Sequence, residues 1–342
     1  MSNSIFSLLP PQAGPTKKLK TGSQGRSSVD IEWTNRCNAT CSFCPRDKMP
    51  AMGMMSFDVF KQTIKRCKEL PILPVAKACG TGEPLIHQNA VEYVQYATDQ
   101  GFDFNITTNA SLLTPEKSRA LFKAGLSQLN LSISATGDLY NSIYNLEFDT
   151  VRRNVEAAVQ QNPGICKIMV TIVDFEGNHE QVQEIKTFWK NLGINRFNIN
   201  DIHNRGGYAE QYCQDAMTTT YEQEALQILK NNNMSHLCMV PYIFVMIGWD
   251  GQYYLCCHDW KKRHPMGSVF DFSIEEVEHK KLAATRDRSP CKNCTADPTN
   301  QVRMAMIDDK KSGSNGELLR STLEKLGNSQ RFMYEVEKNY HN

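Results

Sequence analysis

The chain lacks any apolar run of 18 residues, so no segment is long enough to cross a bilayer as a helix. Its opening stretch, MSNSIFSLLPPQAGPTKKLK, has only a short apolar segment broken by Pro10 and Pro11, and does not read as a secretory signal. Both absences make the cytoplasm the expected compartment and exclude a membrane partner. A charge bias is also missing. Lys and Arg total 38 against 37 Asp and Glu, without a long block of either sign, which speaks against nucleic acid as a partner. Internal repeats and low-complexity tracts are absent, which excludes repeat architectures. What the chain does have is 342 residues, 40% of them hydrophobic, enough for one large α/β domain and a smaller module. It also has 12 cysteines, which in a reducing compartment argue for metal rather than disulfides.

Residues 1–27 are rich in Pro, Gly, Ser and Lys without periodicity and read as a flexible arm. From Val29 onward short apolar runs alternate with helical patterns, the signature of repeated β-α units and a parallel sheet. Strands are expected at Val29–Trp33, Val75–Cys79, Phe102–Thr107, Gln128–Ile133, Lys167–Ile172 and Arg196–Asn200. Ser56 reads as the N-cap of one intervening helix, Thr114 with Pro115 begins another that stops at Gly125, and EQVQEIKTFWKNLG closes on Gly193. Six such units make an α/β fold, a partial (β/α)6 TIM-type barrel, over residues 28–215. A Cys-rich module follows over 216–305, with a helical stretch near Tyr221–Asn231, and then a helical tail over 306–342.

In parallel-strand folds the loops after the strands carry the chemistry, and the notable residues fall there. Cys37, Cys41 and Cys44, spaced CxxxCxxC, follow the first strand. Three thiolates this close hold three corners of an iron-sulfur cube and leave the fourth iron open; the competing reading is a zinc knuckle completed by a distant His. GTGEP, residues 80–84, follows the second strand, TTNAS the third, and SISATGD ends the fourth. Cys238, Cys256, Cys291 and Cys294 can close an all-thiolate site that holds either zinc or an iron-sulfur cluster. Cys67 and Cys166 read as packing residues, Cys79 ends the second strand, and Cys213 lies in a polar stretch.

CxxxCxxC after a first strand, with a glycine-glutamate turn after the second, resembles the radical S-adenosylmethionine (SAM) superfamily over roughly residues 28–205. The resemblance implies that Cys37, Cys41 and Cys44 bind a [4Fe-4S] cluster whose open iron takes SAM. It places Phe43 near the adenine and makes Gly80, Thr81, Gly82 and Glu83 the turn that receives the methionine ammonium group. Thr81 departs from the family pattern, where a glycine stands. Asn109, Ser132 and Ser134 sit where the family contacts SAM. The pattern C-x12-G-x4-C followed by CxxC resembles the C-terminal extension called SPASM in its long form and twitch in its short one. TADPTNQVRMAM adds no further cysteine, so the resemblance is to the twitch form and implies one auxiliary [4Fe-4S] cluster on Cys238, Cys256, Cys291 and Cys294.

The expected activity is reductive cleavage of SAM to a 5′-deoxyadenosyl radical that takes hydrogen from a small polyhydroxylated substrate, sugar-like or aminocyclitol-like. Dehydrogenation or epimerisation would follow, with a flavodoxin or ferredoxin-type protein as electron donor. Arg205, in HNRGG after the sixth strand, offers a planar fork to substrate or to the SAM carboxylate. Cys257 is a candidate thiol hydrogen donor, and His203 and Asp201 are candidates for taking a proton. Within the family the alternative is modification of a ribosomally made peptide. Outside it, the alternative is a zinc-binding interaction protein, which would leave the β-α alternation and the GTGEP turn without a role.

Overall fold

The computed structural model describes residues 28–49, 51–70, 73–212, 218–286 and 288–340. The expected N-terminal arm, Cys213 and the expected 215/216 boundary lie outside the described residues.

Six strands run parallel: β1 Ser28–Ile31, β2 Val75–Ala78, β3 Phe104–Thr108, β4 Gln128–Ser132, β5 Lys167–Asp174 and β6 Phe197–Asp201. They lie in the order β6-β5-β4-β3-β2-β1. The intervening helices are α1 Phe57–Lys68, α2 Ala90–Asp99, α3 Pro115–Lys123, α4 Gly137–Tyr144, α5 Phe148–Gln161 and α6 Val182–Asn191. This is the expected α/β partial barrel, and each strand is displaced from its sequence-based position by at most two residues. Local chemistry sets the helix starts: Ser56 accepts from the Val59 amide ahead of α1, and Thr114 accepts from Lys117 with Pro115 opening α3.

Along the strands the side chains alternate. Val29 and Ile31 of β1 and Ala76 and Ala78 of β2 are fully or almost fully buried in the main apolar core. An aromatic stack under α1 and α2 seals that layer, with Phe60 and Tyr93 at 4.3 Å and Trp33 and Phe104 at 5.5 Å. The residues between, Asp30 and Lys77, therefore face the other side of the sheet, where they pair at 3.0 Å.

The sheet does not stop at β1. After α7 Glu222–Asn231 and the single turn α8 Val240–Ile243, strand β7 Phe244–Ile247 pairs parallel with β1, Ser28 opposite Phe244. Strands β8 Gln252–Tyr254 and β9 Pro265–Ser268 continue it antiparallel, giving nine strands in one sheet among the described residues. Helices α9 Ile274–Thr285, α10 Pro298–Ser312 and α11 Glu317–Tyr340 complete the C-terminal part. Among the described residues no helix is long and apolar enough to cross a membrane.

Candidate active site and two cysteine centres

The loop after β1 carries the triplet and is fastened to the C-terminal end of α4. Thr40 N–H donates to the Tyr144 carbonyl at 3.1 Å and Ser42 N–H to Ile143 at 2.9 Å. Burial raises the Cys41 thiol well above its ordinary value, and the charges of Cys44 and Cys37 raise it further. Cys37 and Cys44 are raised as well, again first by burial; Arg46 draws both down and Arg205 draws Cys44 down. The three sulfurs thus sense one another and need a cationic centre to stay deprotonated, which fits iron ligation.

Residues 80–84 lie directly against this loop. Glu83 N–H donates to the Arg36 carbonyl at 2.9 Å, and a Cβ on Gly82 would stand 2.4 Å from the Thr34 carbonyl oxygen and 2.5 Å from that of Arg36. Glu83 is turned inward. Its Oε1 accepts from Leu85 N–H at 3.0 Å and Thr108 Oγ1 at 2.7 Å, and its Oε2 accepts from Asn109 N–H at 2.8 Å. It therefore pins this turn to the loop after β3. Asn109 Nδ2 donates to Asn38 Oδ1 at 3.0 Å, extending the network back to the triplet loop. Ser134 is spent inside the fold, accepting from Val173 N–H at 2.9 Å and Tyr144 Oη at 3.0 Å, and Ser132 also bonds the Tyr144 hydroxyl. Phe43 is buried edge-on to Tyr144 at 5.9 Å and tilted against Phe175 at 5.3 Å. Beside Phe175 a cavity of about 530 Å³ opens, lined by residues 174–181 and Asp201. The sequence reading did not single out that loop.

The second cysteine set converges from three segments. Cys238, Cys256, Cys291 and Cys294 are each raised first by burial, and Cys238, Cys256 and Cys291 also by charges of other members. Asn300 at the start of α10 holds the CKNC loop by donating to the carbonyls of Cys291, Lys292 and Cys294. Among the described residues no three such side chains close on a single metal ion. A cube asks for something wider, since each thiolate takes its own iron.

HNRGG connects the two centres. Asn204 donates to the Asn293 carbonyl at 2.7 Å and accepts from Thr295 N–H at 3.0 Å, inside and just past the CKNC loop. The Gly206 N–H donates to the Cys294 sulfur. A Cβ on Gly206 would stand 2.5 Å from the His258 carbonyl oxygen, so only glycine fits. Arg205 adopts φ +50, a left-handed backbone that is strained for a side chain of its size. Its charge reaches Cys44 on one side and Cys257 and His258 on the other, and its guanidinium lies 5.5 Å over the Trp260 ring. Trp260 in turn donates to the Pro45 carbonyl at 2.8 Å, next to the triplet.

The Cys257 thiol is pushed up to about 11, first by burial and then by Asp30, while Arg205 and Lys77 draw it down. It stands with Cys79, which bonds Asp30, on the inner side of the barrel. His203 is lowered by burial and by Arg205, so its imidazole is neutral at pH 7. Asp30, Lys77, Glu32 and Lys262 were not expected at the site. The polar-apolar alternation of VDIEW was the available signal for Asp30 and Glu32.

Residues 31–188 match the family model described as the radical SAM superfamily, and residues 238–295 the model of the SPASM iron-sulfur cluster-binding domain. A cofactor-modifying protein for tungsten-containing aldehyde ferredoxin oxidoreductase from Pyrococcus furiosus is 24% identical over 50% of this chain and 50% of its own. A probable GTP 3′,8-cyclase from Methanothermobacter thermautotrophicus is 32% identical over 48% and 54%. The chain spans about half the length of these relatives. Among solved structures, Streptococcus suis SuiB bound to its precursor peptide SuiA matches with TM-score 0.60 at 15% identity, over 80% of this chain and 70% of that one. BtrN in complex with AdoMet and 2-DOIA matches with TM-score 0.51 at 20% identity, over 79% and 92%. Likeness at such identities shows the fold. The two model matches, which together cover more than half of the chain and fall on a parallel β-α core and a Cys-rich C-terminal part, establish that the chain belongs to the radical SAM superfamily and carries a C-terminal SPASM iron-sulfur domain, with SAM, a [4Fe-4S] cluster and auxiliary iron-sulfur as its cofactors.

Proposed function

We propose that this enzyme abstracts hydrogen from a C–H bond of a small polyhydroxylated substrate, sugar-like or aminocyclitol-like, and carries it to dehydrogenation or epimerisation. The observation that carries this reading is the polar inner side of the barrel. Asp30, Lys77, Asn105, Thr107, Gln128 and Asn130 alternate with residues of the apolar core, and several bond one another, Gln128 to Asn130 at 2.7 Å among them. Barrels of this type are ordinarily filled by branched apolar side chains. A polar lumen offers a hydroxyl-rich ligand partners for its hydroxyls.

In this reading Cys37, Cys41 and Cys44 hold the first cluster, and residues 80–83, Asn109 and Phe43 line the SAM site. One auxiliary cluster sits on Cys238, Cys256, Cys291 and Cys294. When bound, these groups supply one-electron chemistry and the 5′-deoxyadenosyl radical. The chain's own part is to orient substrate with Arg205 between the two centres and to handle the proton. Oxidation of a carbinol radical to a carbonyl releases one electron, for which the auxiliary cluster would be the acceptor, and one proton, which the neutral His203 imidazole would take. For epimerisation, Cys257 S–H gives a hydrogen atom to the substrate radical, and the resulting thiyl regains an electron and a proton. A flavodoxin or ferredoxin-type donor restores the electron balance.

The test is anaerobic reconstitution, then SAM and a reductant with a panel of sugars, aminocyclitols and peptides, reading 5′-deoxyadenosine. A polyhydroxylated compound that stimulates its formation supports the proposal, as does loss of product in Arg205→Met with iron content intact. Cys257→Ala separates the two outcomes, since it abolishes epimerisation and spares dehydrogenation. Stimulation by peptides alone overturns the small-molecule reading in favour of peptide modification. That second reading draws on β6, a sheet-edge strand with Ile199 39% exposed, since an open edge accepts an extended peptide.

A further inference from the structure

Thr81 stands where the family places a glycine, and the structure gives it a partner. Its hydroxyl donates to Glu32 Oε1 at 2.6 Å and its backbone N–H approaches the same oxygen at 3.2 Å. Glu32 is the first residue after β1 and its side chain has no exposure to solvent. The second carboxylate oxygen, Oε2, lies 2.9 Å from Lys262 Nζ. Lys262 belongs to the C-terminal part of the chain, in the loop between Cys256 and His264. Its N–H donates to the Asp259 carbonyl at 2.9 Å, and its side chain, 9% exposed, carries the ammonium 4.4 Å over the Tyr254 ring. One buried carboxylate thus touches the turn at residues 80–84 with one oxygen and the auxiliary cysteine loop with the other.

Physical chemistry makes this contact directional. A carboxylate removed from water is tolerated only when paired, and Lys262 is the cation the fold brings to it. Lys262 does so from a left-handed backbone, φ +54, a conformation a non-glycine side chain keeps where its surroundings demand it. Without the ammonium, Glu32 is a buried carboxylate with no paired charge and is expected to withdraw toward water. That movement displaces the acceptor that Thr81 uses twice.

We propose that Glu32 is a positioning residue through which the auxiliary module governs SAM binding: with the Cys256–His264 loop seated, Lys262 holds Glu32, and Glu32 sets the Thr81 turn. This rests on the reading of residues 80–84 as the turn that receives SAM. Its consequence is order. SAM is held well only when the second centre is assembled, and by linkage SAM steadies that loop in return.

The experiment uses the reconstituted protein with Lys262→Met, Lys262→Arg and, as a neighbouring control, Lys261→Met. Hydrogen exchange over residues 80–84 is followed without SAM, and SAM affinity is read from the change it causes in the electron paramagnetic resonance signal of the reduced first cluster. Lys262→Met is expected to speed exchange in the turn about fivefold or more and to raise the SAM Kd about tenfold. Lys262→Arg and Lys261→Met are expected to stay within about twofold of wild type. Unchanged exchange and affinity in Lys262→Met overturn the proposal. If that variant does not fold, Thr81→Val decides, because it spares the ion pair and removes only the hydroxyl link; a turn that exchanges as in wild type then overturns the proposal. A wild-type signal that SAM leaves unaltered sinks the SAM-site reading itself, a result separable from the other two.

Discussion

Gly82 carries the tightest steric demand at the site. The atoms that a Cβ would strike there are backbone oxygens of Thr34 and Arg36, which cannot swing away as a side chain does. Gly82→Ala is therefore expected to destabilise the protein by about 1–3 kcal/mol and to displace the triplet loop. Thermal denaturation and iron content check both effects. His258 makes the second residue-scale prediction. Burial, then Arg205 and His203, hold its imidazole down at about 3, so it stays neutral inside the fold while the unfolded chain titrates at its ordinary value. The unfolded state thus binds the proton first, and stability is lost as pH falls below about 6.5. Between pH 7.5 and 5.5 this group alone accounts for about 1.4 kcal/mol. The pH-dependent drop in stability should be smaller by that amount in His258→Gln, as denaturant titration at the two pH values would read. At this scale the sequence exposed the glycine-glutamate turn through its spacing. It was silent on why Thr81 is there, because Glu32 lies 49 residues away in the chain.

Helix ends were the most legible elements, since a cap is written in three or four consecutive residues. Ser56 and Thr114 accept the bonds expected of them, and Ser56→Ala should cost about 1 kcal/mol in a denaturation series. The start of α10 does something the local pattern did not reveal. Asp297 caps it by accepting from Asn300 N–H, and Asn300 from its first turn donates to three carbonyls of the CKNC loop. Asn300→Ala leaves those buried carbonyls without their donor, so we expect the second centre to lose iron while the first keeps it. Iron per chain falling from about eight toward about four, with the SAM-responsive signal retained, is the expected result. Strands β7 to β9 escaped the sequence reading because no helix separates them, so the β-α alternation that marked the equally short β1 and β2 is missing there.

At the scale of the whole molecule the C-terminal helix is a brace. Met333 of α11 is buried with Leu237, Met239, Tyr242 and Leu282, and Leu326 with Ala225, Leu229, Met234 and Val302. Ser235, three residues before Cys238, donates to Glu337 at 2.6 Å and its N–H to the Gln330 carbonyl at 3.0 Å. Ending the chain at residue 314 uncovers these apolar groups. The auxiliary module is expected to melt below the core, which two separated transitions by calorimetry would report.

The sequence by itself determined the β-α order, the cysteine spacings and the turns, because each is a matter of neighbours along the chain and of side-chain period. Only the tertiary structure decided that β7 extends the barrel sheet from β1, that HNRGG packs into the CKNC loop, and that Lys262 reaches Glu32. Those contacts join residues some 90 to 230 positions apart, and no local propensity encodes them. They follow from burial. A charge or an open strand edge excluded from water must find a partner, and which one it finds depends on how the whole chain packs.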